Sequence, residues 1–279
     1  MKIIIQAGGK GTRLEGLTRN KPKCLVPINN LPIIFYVFQK FKDAEFTIID
    51  DYKIDVLEKY LNTFAAQYDF KILKAPKKGT ISGIKEAISD YDENESFMII
   101  WCDLILSEHF EIPSDKANYI GISKDFECRW SYVKDNFTEQ PSKENGVAGL
   151  FIFENKKTLK NIETEGAFVE WLKKQNIKFK RLDLYGSKEI GTLLSYSDNN
   201  DSTPHCRPFN QIEFNGDIII KRGINEQGKK IAKDEIAWYK HVKELRFEHI
   251  PEIYEYEPLK MKRVQGKNIY EYDCLTQTQ

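Results

Sequence analysis

The sequence predicts an α/β fold, a mostly parallel sheet flanked by helices, and two observations carry that expectation. Short apolar runs alternate with helix-period segments through the first two-thirds of the chain. Runs such as Ile3-Ile4-Ile5 and Phe97-Met98-Ile99-Ile100-Trp101 are apolar on both faces, as strands covered by helices on either side must be. A third observation limits its extent: a polar stretch over 197–207, including Asp198-Asn199-Asn200-Asp201-Ser202-Thr203-Pro204, reads as a linker. The expected organisation is a domain over 1–196, a linker over 197–207 and a small α+β module over 208–279.

Taken in order, Ile3–Ile5 is a strand ending at a glycine-rich loop, and Asn29-Asn30 is a turn. Pro32 to Phe41 reads as a helix with proline in its first turn, and Phe46–Asp50 as a strand. Ile54, Leu57, Tyr60, Leu61 and Phe64 have helical spacing within 51–67. Phe70–Leu73 is a strand, Ile81–Tyr91 a helix opened by Gly79-Thr80, and Phe97–Trp101 a strand. Beyond a less legible stretch, 108–145, come a strand over 146–153, a helix over 165–172 and a strand over 179–184.

With 279 residues, 41% of them hydrophobic, the chain can bury a substantial core. Lys+Arg and Asp+Glu are both 42, so no global basic field points to nucleic acid, and no Lys/Arg tract does so locally. Five scattered cysteines without a C-x-x-C read as reduced thiols of a cytoplasmic protein. No apolar run reaches membrane-spanning length, and the N-terminus enters a strand at once, so neither a membrane span nor a signal peptide is expected. The four histidines share no metal-ligand spacing.

The loop after the first strand, Gln6-Ala7-Gly8-Gly9-Lys10-Gly11-Thr12-Arg13, has glycine at three of the four positions 8–11. Glycines let backbone N–H groups converge on one concavity and approach a ligand closely, which suits phosphate oxygens, and Arg13 and Lys23 supply cations. The loop fits neither G-x-x-x-x-G-K-[ST] nor G-x-G-x-x-G. In a parallel α/β sheet the ligand sits beyond the carboxyl ends of the strands, where Gly79-Thr80 and Trp101-Cys102-Asp103 also fall.

Gly8-Gly9-Lys10-Gly11-Thr12-Arg13-Leu14, Leu17-Thr18 and Pro22-Lys23-Cys24-Leu25-Val26-Pro27-Ile28 together resemble the signature of the nucleotidyltransferases that activate sugar 1-phosphates and phosphocholine-type molecules. The resemblance covers about residues 1–196. It implies a Rossmann-like mixed, mostly parallel sheet of the nucleotide-diphospho-sugar transferase type. It implies nucleotide contacts from Ala7, Gly8, Gly9, Gly11, Thr12, Gly79 and Thr80, catalytic roles for Arg13 and Lys23, and Mg²⁺ held by Asp103 and Glu189. Gly149 and Glu165 are the implied acceptor-side residues. One departure stands out: in Tyr185-Gly186-Ser187-Lys188-Glu189-Ile190-Gly191-Thr192 the family's second metal-binding aspartate is a glutamate. Glutamate is a hard oxygen ligand too, but a displacement of about 1 Å can cost ~100-fold in rate.

In the last segment, Asn215-Gly216 between alternating runs signals a hairpin, followed by a charged helix over 226–244 and strands over 253–256 and 259–264. That order resembles the N-terminal lobe of choline- and aminoglycoside-type kinases, with Lys221, Glu235 and a hinge over 261–266 as the corresponding parts. No catalytic-loop aspartate follows within the 279 residues, so no phosphoryl transfer is expected from this module.

The expected activity is Mg²⁺-dependent condensation of an NTP, CTP favoured by analogy, with a sugar phosphate or phospho-amino alcohol, releasing pyrophosphate. Surface or capsular polysaccharide decoration and a linked small-molecule kinase are the expected context; nucleic acid and membrane are not expected partners. A glycosyltransferase of the same fold is the first alternative, disfavoured because Cys102-Asp103-Leu104-Ile105 lacks a D-x-D. A nucleotide-binding regulator that has lost catalysis is the second.

Overall fold

The computed structural model describes residues 1–200 and 209–266. The chain divides into two compact units, 1–201 and 202–279. The linker assigned to 197–207 therefore needs correction at its start. Residues Leu193–Asn199 form a helix, α5, and belong to the first unit; 201–208, with His205 and Cys206, lie outside the described residues. The helix begins on a capping box in which Thr192 accepts from Ser195 N (3.1 Å) and Ser195 Oγ accepts from Thr192 N (3.1 Å).

The first unit is built on a seven-stranded sheet. Its strands are β1 (Lys2–Gln6), β2 (Glu45–Asp50), β3 (Asp69–Lys74), β4 (Phe97–Trp101), β5 (Tyr119–Ser123), β6 (Val147–Phe153) and β7 (Lys180–Leu184). Their order is β7-β5-β6-β4-β1-β2-β3, and β6 alone pairs antiparallel with both neighbours. The sheet is thus mixed and mostly parallel, with β1 at its interior. There the β-branched run Ile3–Ile5 is fully buried between β2 and β4.

Helices cover both faces. Phe38 of α1 (Ile33–Lys40) and Leu57 and Leu61 of α2 (Ile54–Phe64) pack with Phe46 on one face. On the other, Ile84 of α3 (Ile84–Ala87) and Phe168 and Trp171 of α4 (Phe168–Lys173) pack with Phe97, Phe151 and Phe153. Phe38, Phe46, Phe97, Phe151, Phe153 and Phe168 are all below 2% exposed, and burial of each contributes roughly 1.5–3 kcal/mol. Asn29 and Asn30, both at positive φ, make the expected turn before α1.

The helix expected over 81–91 shrinks to the four residues of α3, because Gly83, at φ 84, breaks its first turn. The stretch 108–145 contributes a small hairpin, Ser131–Val133 with Asn136–Thr138, turning at Lys134-Asp135.

The second unit is a four-stranded antiparallel sheet, β8 (Asn210–Asn215), β9 (Ile218–Gly223), β10 (Ile253–Tyr256) and β11 (Leu259–Lys262), in the order β8-β9-β11-β10. The hairpin turn is Gly216-Asp217, one residue later than Asn215-Gly216, since Asn215 still pairs with Ile218. The 19-residue helix α6 (Glu226–Glu244) packs Ile236 against Leu259 and Met261. No helix among the described residues is long and apolar enough to cross a membrane.

Candidate functional site

Sheet topology brings the carboxyl ends of β1, β2 and β4 side by side, and the loops leaving them make the site. After β1, Ala7 N still donates to Ile49 O (2.8 Å), which holds the start of the glycine loop to β2. Gly9 stands at φ 104 with open space where a Cβ would be. Gly11, at φ 60, lies so close to Thr18 that a Cβ would meet Thr18 Cγ2 at 2.9 Å. The 3-10 turn over Thr12–Thr18 then buries Leu14 and leaves Arg13 exposed.

Lys23 lies in a second 3-10 turn, Lys23–Leu25, next to Cys24 and Leu25 in the core. Its Nζ forms an ion pair with Asp103 Oδ2, and the two side chains are only 11% and 13% exposed. Asp103 follows β4 and is fixed from the other side by Ile190 N, which donates to Asp103 O (2.8 Å). A two-residue antiparallel ladder, Leu104–Ile105 with Lys188–Glu189, sets Glu189 opposite Leu104. The Glu189 side chain shares a hydrogen bond with that of Asp103.

The charges are unbalanced: two carboxylates meet one ammonium. Burial works against each charge. Lys23 nonetheless holds Asp103 below the usual carboxylate range, and Asp103 holds Lys23 above the usual ammonium range. Glu189 takes the strain. Burial and the neighbouring Asp103 carboxylate push it up to about 7, against the opposing fields of Lys23 and Arg13. Its longer side chain folds over Gly191, where a Cβ would overlap Glu189 Oε1. The adjoining thiols Cys24 and Cys102 are raised by burial, which disfavours their thiolate forms.

Gly79 and Thr80 sit ahead of α3 in a turn rather than at a helix N-terminus. They are strapped to the loop before α4. Gly166 N donates to Lys78 O (3.1 Å), Ile81 N to Gly166 O (3.1 Å) and Phe168 N to Thr80 Oγ1 (2.9 Å). A Cβ on Gly79 would overlap Gly166 O. From beneath, Gln6 Nε2 donates to Thr80 O. Glu165 pairs with Lys77 (3.9 Å), so it belongs to this strapped loop and not to the Lys23–Asp103–Glu189 cluster. Gly149, at φ 80 in β6, is buried, and a Cβ there would overlap the Trp101 ring.

Four residues of this site were not legible in the sequence. Gln6, whose Nε2 donates to Thr80 O and Ser82 O, and Asp51, whose Oδ1 accepts from Gly9 N (2.6 Å), leave no motif. Gly166 and Gly191 stand where side chains or loops close on them, and composition gives no sign of that.

Comparison with known proteins fits this geometry. Residues 3–110 match the MobA-like NTP transferase domain. The N-terminal segment belongs to the NTP-transferase family. Mannose-1-phosphate guanyltransferase of Emericella nidulans is 29% identical over 196 residues, 61% of this chain and 54% of that protein. CTP:phosphoglutamine cytidylyltransferase of Campylobacter jejuni is 31% identical over 112 residues, 38% of this chain and 44% of that one. This chain thus spans about half the length of the curated relatives it matches. The crystal structure of HddC from Yersinia pseudotuberculosis complexed with GMP-PN superposes with a TM-score of 0.58 at 20% identity, covering 71% of this chain and 97% of that one. At that identity the NTP-transferase likeness is one of fold, the nucleotide-diphospho-sugar transferase fold. The family match ends at residue 110 and does not reach the second unit, where Lys221 pairs with Glu235 (2.6 Å).

Proposed function

We propose that the first unit is a Mg²⁺-dependent nucleotidyltransferase that joins an NTP to a phosphorylated small molecule. The observation that carries this reading is the Lys23–Asp103–Glu189 cluster beside an open glycine loop. A phosphate oxygen of the acceptor attacks the α-phosphorus, the bond from that phosphorus to the bridging oxygen breaks, and pyrophosphate leaves. Gly8, Gly9 and Gly11 give the triphosphate room to approach the backbone, and Arg13 steadies the charge that builds on the departing pyrophosphate. Lys23, on the same cluster, turns from Asp103 to the acceptor phosphate and orients its oxygen. Gly79 and Thr80, held by Gln6 and Gly166, bound the nucleoside side.

The two carboxylates fit Mg²⁺. Both are hard oxygen donors, they converge within hydrogen-bonding reach, and Lys23 supplies only one positive charge between them. Among the described residues no third His, Cys, Asp or Glu joins them. When bound, the ion neutralises phosphate charge.

Cytidylyl transfer to a phospho-amino alcohol or related acceptor is the specific form of this reading, supported by the named activity of the Campylobacter relative. The test is pyrophosphate release with each of five NTPs, with and without Mg²⁺, against a panel of sugar 1-phosphates and phosphocholine-type acceptors. CTP-dependent release is the expected result. Release with another NTP overturns the cytidylyl assignment, and no release together with no NTP-dependent thermal shift overturns the activity.

A further inference from the structure

The second unit contains a cleft of about 590 Å³ between the first half of α6 and the turn from β10 to β11. Small-ligand sites span roughly 300–1,000 Å³, so it has room for a molecule of nucleotide size. Its floor is apolar, with Ile236 9% and Leu259 3% exposed. Its walls carry five cations against two carboxylates, Glu226 and Glu257.

Three of the five cations are already engaged: Lys221 with Glu235 (2.6 Å), Arg222 with Glu213 (2.6 Å) and Lys229 with Glu226 (2.9 Å). Lys230 and Lys233 are exposed and make no ion pair within 4.0 Å to any described residue. They sit one helical turn apart, and Ile236 lies one further turn along the same face. Tyr256 lines the opposite wall and has Lys240 Nζ 5.1 Å from its ring centroid.

We propose that this cleft binds an organic phosphate of nucleotide size. Its phosphate groups lie on Lys230 and Lys233, and its carbon skeleton covers Ile236, Leu259 and Tyr256. Two ammonium groups a turn apart match the two charges of a phosphate better than the single charge of a carboxylate, and lysine is a proven point-charge partner for phosphate. The buried apolar floor selects an organic ester over a bare inorganic anion. The Lys221–Glu235 pair is not used, and the site stands independently of nucleotidyl transfer in the first unit.

The test is hydrogen exchange on the full chain with CDP, pyrophosphate or an acidic phosphopeptide, read locally because CDP also meets the first unit. CDP is expected to slow exchange over 226–236 and 256–262. The Lys230→Gln, Lys233→Gln double variant is expected to weaken that effect at least tenfold while leaving exchange over 1–110 unchanged. Glutamine keeps helix propensity, and the unliganded exchange pattern of α6 checks that the variant is folded. No slowing with CDP at millimolar concentration overturns the proposal, as does slowing that persists in the variant. Equal protection by pyrophosphate reduces the site to a bare anion site and overturns the organic ligand. Protection by the phosphopeptide alone makes the occupant a protein and does the same.

Discussion

Each unit contains a lysine–carboxylate pair that joins two elements, and the two pairs have different consequences. In the second unit Lys221 of β9 meets Glu235 of α6, both near one-quarter exposed, and the charges cancel. In the first unit Lys23 meets Asp103 at about half that exposure, and Glu189 adds a carboxylate that the single ammonium cannot offset. The balanced pair ties a helix to a sheet. The unbalanced one leaves a carboxyl group at about 7, a condition that a divalent cation would relieve.

The largest effect expected from breaking this contrast is that of Asp103→Asn. Turnover should fall by about 10²–10³-fold in a pyrophosphate-release assay, as for loss of an aligned electrostatic group. Glu189 then remains to face Lys23, so the cost in denaturant unfolding should stay below the roughly 3–5 kcal/mol of a buried pair broken outright. Unchanged turnover would remove Asp103 from the site. Next comes Gly191→Ala, which touches no ligand and acts only by pushing the Glu189 carboxylate aside. Turnover should drop by about 100-fold with little change in stability. In a Glu189→Ala background the same substitution should add nothing; additive losses would refute the mechanism.

The limits of the sequence follow the same division. The first 28 residues were legible because their glycines, cations and prolines stand at fixed spacing within one loop system, and the apolar runs of β1 and β4 marked the sheet. Two local elements were misread for identifiable reasons. Ser197-Asp198-Asn199 is polar and reads as the start of a linker, yet the Thr192/Ser195 capping box starts a helix that runs through it. Ile81, Ile84 and Ile88 have helical spacing, but Gly83 and the strap from Gly166 hold 79–83 in a turn. That the Trp101 ring packs on Gly149 depends on two strands far apart in sequence pairing in one register, which no local pattern encodes.

A third buried carboxylate sharpens the comparison from another side, because no cation faces it. Asp50 is fully buried, its Oδ1 accepts from Asp51 N (2.8 Å) and Tyr52 N (3.1 Å), and its Oδ2 has no partner among the described residues. Burial raises it to about 6 from an ordinary 3.8. The folded state therefore keeps a proton that the unfolded chain has already lost. The resulting stability is present below the unfolded value and is lost as pH rises through the folded one. Its size is roughly 3 kcal/mol. Asp50→Asn should change the wild-type-minus-variant stability by that amount across this window in denaturant titrations; parallel pH curves would show that Asp50 does not titrate there.

The smallest effect belongs to the balanced pair. Lys221→Met should cost about 1 kcal/mol or less and leave pyrophosphate release unchanged, since partly exposed pairs contribute little. A loss of turnover would contradict the separation of roles between the two units.

The ladder of Leu104–Ile105 with Lys188–Glu189 has a further meaning for how such a protein can diverge. It works as a clasp, holding two carboxylates that lie far apart in sequence together by main-chain pairing. Changes in the loops between them can alter the surroundings of the two carboxylates while the clasp keeps them in register. Sites built this way can exchange one cargo for another without being rebuilt at the reacting end.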